Sequence, residues 1–176
     1  MRDMNDLPDA FALSPVPPPG PDAVAPELFR GIYGMPMFVT IPTSDLDASV
    51  DFWTRGLGFF DLFTIPGRMV HLRRWAFQDV LLVAGPTAES AGATTVSFAC
   101  VLSEVDAIVL AARAVGGATV SDPQDTLWNT RDIEIRTPEN ARVMITAAKT
   151  FDPDSESGRA LRAVGIGQPG DNRSDV

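Results

Sequence analysis

The sequence predicts an α+β fold: two βαβββ modules forming a curved, cup-like mixed sheet, with the helices on its convex face. Three observations lead there. A helix-like segment occurs twice at a fixed offset, each copy follows a short apolar strand, and each is trailed by three strand-like runs. The first copy is SDLDASVDFWTRGLGF, from Ser44, and the second is SEVDAIVLAARAVGGA, from Ser103. Ser44-Asp45-Leu46-Asp47-Ala48 lies over Ser103-Glu104-Val105-Asp106-Ala107 at an offset of 59 residues, which also carries Gly58 onto Gly117.

Each element has a local reason. MPMFVTI reads as the opening strand. The helix after it places Leu46, Val50, Trp53 and Leu57 at helical spacing, so Trp53 is expected in the core. Ser44 offers a hydroxyl cap, acids follow where the helix dipole favours them, and glycine stops the helix. FFDLFTIP, RMVHLRRW and VLLVA are the three strands that complete module one, residues 35–86. TTVSFACVL opens module two, residues 93–150, and Val105, Ile108, Val109 and Ala112 repeat the helical stripe under a cap expected from Ser103. ATVSDPQ, TRDIEIRT and ARVMITA close it.

The flanks differ in kind. Residues 1–34 include SPVPPPGPDAVAP, which proline bars from helix and from sheet interior, so an extended arm is expected, free to drape on the domain or a partner. Residues 151–176 form a polar tail with one short helical stretch around Arg159–Val164. A single domain over 35–150 remains.

Composition narrows the function. With 45% hydrophobic and 21% charged residues the chain is of the soluble globular type. No run approaches the roughly 18 apolar residues of a membrane span, and the acidic, proline-rich start is unlike a signal peptide. A cytoplasmic protein without membrane partners is expected. The net charge of −9 leaves no basic stripe for nucleic acid. Cys100 is alone and sits in an apolar strand, so it forms no intrachain disulfide and is expected to be buried and inert. His71 is the only histidine, which excludes any site needing two imidazoles.

SDLDASVDFWTRGLGF and LWNTRDIEIRTPENARVMIT together resemble the vicinal oxygen chelate superfamily of glyoxalases, bleomycin resistance proteins and extradiol dioxygenases. Trp128, Arg131, Asp132 and Pro138 fall on the family's second signature. The sequence departs from it at Asn129, where glycine is usual, and at TPEN, where Asp-Pro-Asp-Gly is usual. The family's enzymes hold one divalent metal through four strand positions, typically His or Gln and Glu. The resemblance puts three of these on Phe38, Ser97 and Met144, and the fourth on Val83, or on Leu81 after a two-residue slip. Phenyl, isopropyl and thioether groups do not bind hard divalent metals. The expectation is therefore a site without metal or other cofactor, most like the metal-free bleomycin resistance type.

With Phe38, Val83, Ser97 and Met144 marked by the resemblance, strand alternation adds Thr40, Met69, His71 and Trp75 to the expected cavity wall, and the second signature adds Trp128 and Arg131. Such a wall suits a hydrophobic or aromatic small molecule, a natural product or antibiotic, captured without turnover. The resemblance further implies a homodimer with equivalent sites at the subunit boundary, the modules exchanged or not. Two other readings stand beside sequestration. A metal-free enzyme of the isomerase, cyclase or lyase type would use His71, Asp132 or Glu134 as acid or base, and the proline-rich arm would serve a partner-interaction role. Arg73 and Arg74 read as a solvated strand edge, and Arg131 as a structural ion-pairing residue as much as a ligand contact.

Overall fold

The structure is a computed structural model that describes residues 16–31, 37–90 and 92–163. Module one runs β1 (Val39–Thr43), α1 (Leu46–Asp51), a π-helical turn over Phe52–Gly56, β2 (Phe60–Ile65), β3 (Met69–Arg73) and β4 (Asp79–Ala84). Module two runs β5 (Thr95–Cys100), a 3-10 turn over Leu102–Glu104, α2 (Val105–Val115), two short strands β6 (Thr119–Val120) and β7 (Gln124–Asp125), then β8 (Thr130–Arg136) and β9 (Arg142–Ala148). The expected mixed sheet is realised as two sheets, ordered β1-β4-β3-β2 and β5-β9-β8-β6, with β7 paired to β8. In each, the first strand runs parallel to the last and the other pairs are antiparallel. That parallel pairing requires a crossover connection, which α1 and α2 supply.

Alternation sorts each strand into a helix-side face and an open face. Ile41, Val70, Leu72, Val80 and Leu82 are buried on the helix side of the first sheet, and Phe98, Cys100, Ile133, Ile135, Val143 and Ile145 on that of the second. The two sets merge into one core around Trp53. Trp53, Phe59 and Phe98 meet edge to face, with centroids 5.0, 5.2 and 6.0 Å apart, so the aromatic cluster spans both modules. Burial pushes the Cys100 thiol up to about 12, which agrees with the inert role expected of it.

The caps differ from the serines that the repeat suggests. Asp45, not Ser44, caps α1, accepting from the Ala48 amide at 3.0 Å. Ser44 instead pairs with the Thr87 hydroxyl at 3.0 Å and ties down the chain after β4. In module two the 3-10 turn leads into α2, and the Glu104 carboxylate reaches back to the Val101 amide at 3.2 Å. Glycines do end both helices, through Gly58 (φ 74°) and through Gly116 and Gly117 (φ 80° and 77°).

Arg74 is buried, not a solvated edge as expected. It donates to the Ala99 carbonyl of β5 and to Glu104 at 2.8 Å, joining the modules, and its guanidinium lies 4.9 Å from the Trp75 ring. The helices themselves touch at Gly56, where a Cβ would stand 3.2 Å from the Ala112 Cα. The arm, residues 16–31, lies along the domain. Val16–Pro19 and Ala23 share a hollow with Ala99, Thr130 and Thr146 of module two, and Arg30 stacks 4.5 Å from the Phe60 ring of module one.

After β9, helix α3 (Glu156–Ala163) covers the expected short stretch as far as Ala163; Val164 lies outside the described residues. Asn129 holds this tail. Its side-chain amide donates to the Lys149 carbonyl at 2.8 Å and accepts from the Ser157 hydroxyl at 3.1 Å. Asn129 and Asn140 have φ of 62° and 63°, the left-handed region that favours glycine and next admits asparagine. At both positions where the resemblance expects glycine, the chain thus takes the conformation that glycine favours. No helix among the described residues is long and apolar enough to cross a membrane.

Candidate functional site

The open face of module one is built by three cross-strand rows. Thr40 of β1 pairs with Leu81 of β4, which pairs with His71 of β3, which pairs with Phe63 of β2. The next row along is Pro42, Val83, Met69 and Ile65. The row before it holds Asp79, Arg73 and Phe60, with Phe38 one residue upstream of β1. Phe38, Phe63 and Ile65 are 45%, 54% and 37% exposed, a high proportion for large apolar side chains on one face.

Polar groups gather at one end of it. Asp79 Oδ1 accepts from Arg73 Nε at 2.7 Å and lies 2.7 Å from His71 Nε2. Arg73 is fully buried and corrects the expectation of a solvated edge: beyond Asp79 it donates to the main-chain carbonyls of Phe29 and Gly31 at 3.2 and 2.8 Å. A guanidinium carries five donors in a planar fork, and here the arm and a carboxylate share them. The carboxylate holds the largely buried imidazole through Nε2 and fixes its orientation.

Module two presents a second open face. Ser97 stands beside Met144, which stands beside Glu134; the adjacent row is Ala99, Thr146 and Asp132. Asp132 Oδ1 accepts from the Thr146 hydroxyl at 2.6 Å, and Glu134 pairs with Arg142 at 2.7 Å in solvent.

The nominated residues thus fall into three groups. Phe38, Thr40, Met69, His71 and Val83 share the open face of module one, and Ser97, Met144, Asp132 and Glu134 that of module two. Trp75, Trp128 and Arg131 lie elsewhere. Trp75 is 2% exposed, because the chain turns at Arg74 and takes it out of strand alternation, under the Arg74 guanidinium. Trp128 stands 67% exposed on the β7–β8 turn. Arg131 alternates to the helix side with Ala147 and sits 3.9 Å from Asp106 of α2 and 4.0 Å from Asp125.

Register also changes the fourth ligand position. Ser97 and Met144 are parallel neighbours; the same pairing in module one, continued one residue from Val39 and Val80, sets Phe38 beside Asp79, not beside Val83 or Leu81. Asp79, Phe63 and Ile65 escaped the sequence reading. Asp79 was within reach of alternation from Leu81, whereas the irregular β2–β3 register between Asp61 and Phe63 hid the two apolar residues. The four positions then carry phenyl, carboxylate, hydroxyl and thioether groups. Only the carboxylate is a strong donor for a divalent cation, and Arg73 and His71 already engage it. These residues do not fit the family's metal. Among the described residues no three His, Cys, Asp or Glu side chains are grouped to hold one.

A paired repeat of βαβββ units with diverged open faces defines a class, and comparison with known proteins agrees. The family model "Glyoxalase/Bleomycin resistance protein/Dioxygenase superfamily" matches residues 37–145, more than half of the chain. The chain belongs to that superfamily. Among solved structures it is similar to the fosfomycin resistance protein FosX from Mesorhizobium loti, at 12% identity and a TM-score of 0.54, covering 68% of this chain and 96% of that one. A variant of FosX from Listeria monocytogenes, solved with Mn(II) and a dihydroxypropylphosphonic acid, aligns at 15% identity and 0.57, over 76% and 99%. An integron cassette protein from the Halifax Harbour sewage outfall metagenome aligns at 22% and 0.52, over 66% and 99%. At these identities the likeness is one of fold. No curated protein matches the chain in sequence.

Proposed function

We propose that the protein binds and sequesters a hydrophobic or aromatic small molecule, a natural product or antibiotic, without a metal, as a cytoplasmic homodimer. The observation that carries this reading is the open face of module one. Phe38, Phe63 and Ile65 expose apolar surface around a cluster of His71, Arg73 and Asp79 whose charges are already matched to one another. Apolar area supplies affinity and a few fixed polar groups supply orientation, which is the composition of a ligand pocket. Met144 and Ser97 extend the same character to module two. A second subunit laid over these faces would enclose the ligand and bury the exposed rings.

One observation favours a second reading. His71 Nε2 lies 2.7 Å from a buried carboxylate, the arrangement that orients an imidazole for proton transfer. In that case the same face hosts an isomerase, cyclase or lyase with His71 as acid or base, and Asp132 and Glu134 of module two as further candidates.

Thermal denaturation of chelator-treated protein, with divalent metals and aromatic natural products in parallel, tests the proposal. A saturable rise with an aromatic compound and none with metal is the expected result. A stoichiometric rise with Mn, Ni or Zn would sink it. Product appearance from the stabilising compound, lost in His71→Asn, would move the protein to the enzymatic reading.

A further inference from the structure

We infer that the gap between the two modules is a separate binding site for an organic cation with an apolar body. Among the described residues the edge strands β1 and β5 each pair on one flank, with β4 and β9, and belong to different sheets. A cavity of about 390 Å³ lies between them, within the range of roughly 300–1,000 Å³ that small-molecule sites occupy. Its walls include Ile41, Val96, Phe98 and Val143, all helix-side residues of their strands. Thr40 and Pro42 of the open face border it at the β1 edge, but His71, Met69, Phe63 and Met144 do not line it, so its centre lies apart from the face proposed above.

Glu139, from the turn between β8 and β9, also lines the cavity. The side chain is 2% exposed. Trp53 Nε1 donates to Oε2 at 3.3 Å, whereas Oε1 has no hydrogen-bond partner among the described residues. A buried carboxylate oxygen without a donor is costly, and native structures rarely leave one so. The cation that also lines the cavity does not serve it: Arg142 Nε is spent on Glu134, on the next strand. An ammonium or guanidinium group entering the cavity supplies the missing donor as a charge-assisted bond, while its hydrocarbon part covers the apolar walls. An alcohol of the same shape brings a weaker donor and no charge, and a carboxylate meets a like charge.

The test uses n-hexylammonium, 1-hexanol and hexanoate on the full chain, read by thermal shift and by amide chemical-shift mapping. Hexylammonium is expected to bind saturably, at least tenfold tighter than hexanol, with hexanoate inert. The shifted amides should centre on Val96, Phe98, Glu139 and Asn140. Glu139→Gln keeps an acceptor for Trp53 and removes the charge, and is expected to abolish the preference of ammonium over alcohol. Equal binding of hexanol and hexylammonium by the wild-type chain, no saturable binding of the ammonium, or shifts centred on His71 and Leu81 would each overturn the inference, whether or not the variant folds.

Discussion

In module one the open face holds His71, Arg73 and Asp79 in a buried cluster ringed by exposed phenylalanines; in module two the matching face holds Asp132 and Glu134, one bonded to a threonine and the other to a solvent-exposed arginine. The backbone plan is common to both, down to the parallel pairing of first and last strands. Placement of charge is not. In module one the arm's carbonyls bind the buried arginine directly, whereas in module two the arm lies beside a part-buried Asp132 and Glu134 stays exposed to solvent. A duplicated scaffold therefore sets where side chains can stand, while each copy decides independently what they do.

The sharpest way to break that contrast is Asp79→Ala. It leaves the buried Arg73 guanidinium without the carboxylate that faces it, and the expected loss is about 3–5 kcal/mol of unfolding free energy in urea titrations. A loss near that of an exposed pair would show the cluster to be open to water. Gly56→Ala tests the seam between the modules. Its new Cβ would press on the Ala112 backbone, and a cost of about 1–3 kcal/mol is expected by the same measurement. Smallest is Glu134→Ala in module two, where the ion pair with Arg142 is half exposed. Less than about 1 kcal/mol should be lost, and that little should shrink further in salt.

Much of this arrangement was legible in the chain. The repeat at Ser44 and Ser103 announced two modules, and the family resemblance, extended by alternation, put Phe38, His71, Ser97 and Met144 on open faces, because period-two burial survives wherever a strand stays regular. It failed where the strand ended or slipped. Trp75 follows β3, and once the chain bends at Arg74 the parity that assigned it to the cavity no longer applies. Phe63 lies just past a register shift. Asp79 was missed for a different reason: a carboxylate at a strand start looks like a turn residue until the arginine and histidine opposite it are known. The arginines were misplaced likewise, since Arg73 is held by arm carbonyls more than 40 positions upstream, and no local pattern encodes a bond of that span.

The bond from Arg74 to Ala99 bears on how copies of this chain meet one another. Among the described residues β5 has one flank without ladder partners, the kind of edge on which strands from other molecules stack into aggregates. Arg74 places a buried charge on that edge and occupies one of its carbonyls. Across the gap β1 carries Pro42, which has no amide hydrogen to offer an incoming strand. Both margins are thus blunted. The two sheets are kept from zipping together, and each is kept from recruiting a stranger.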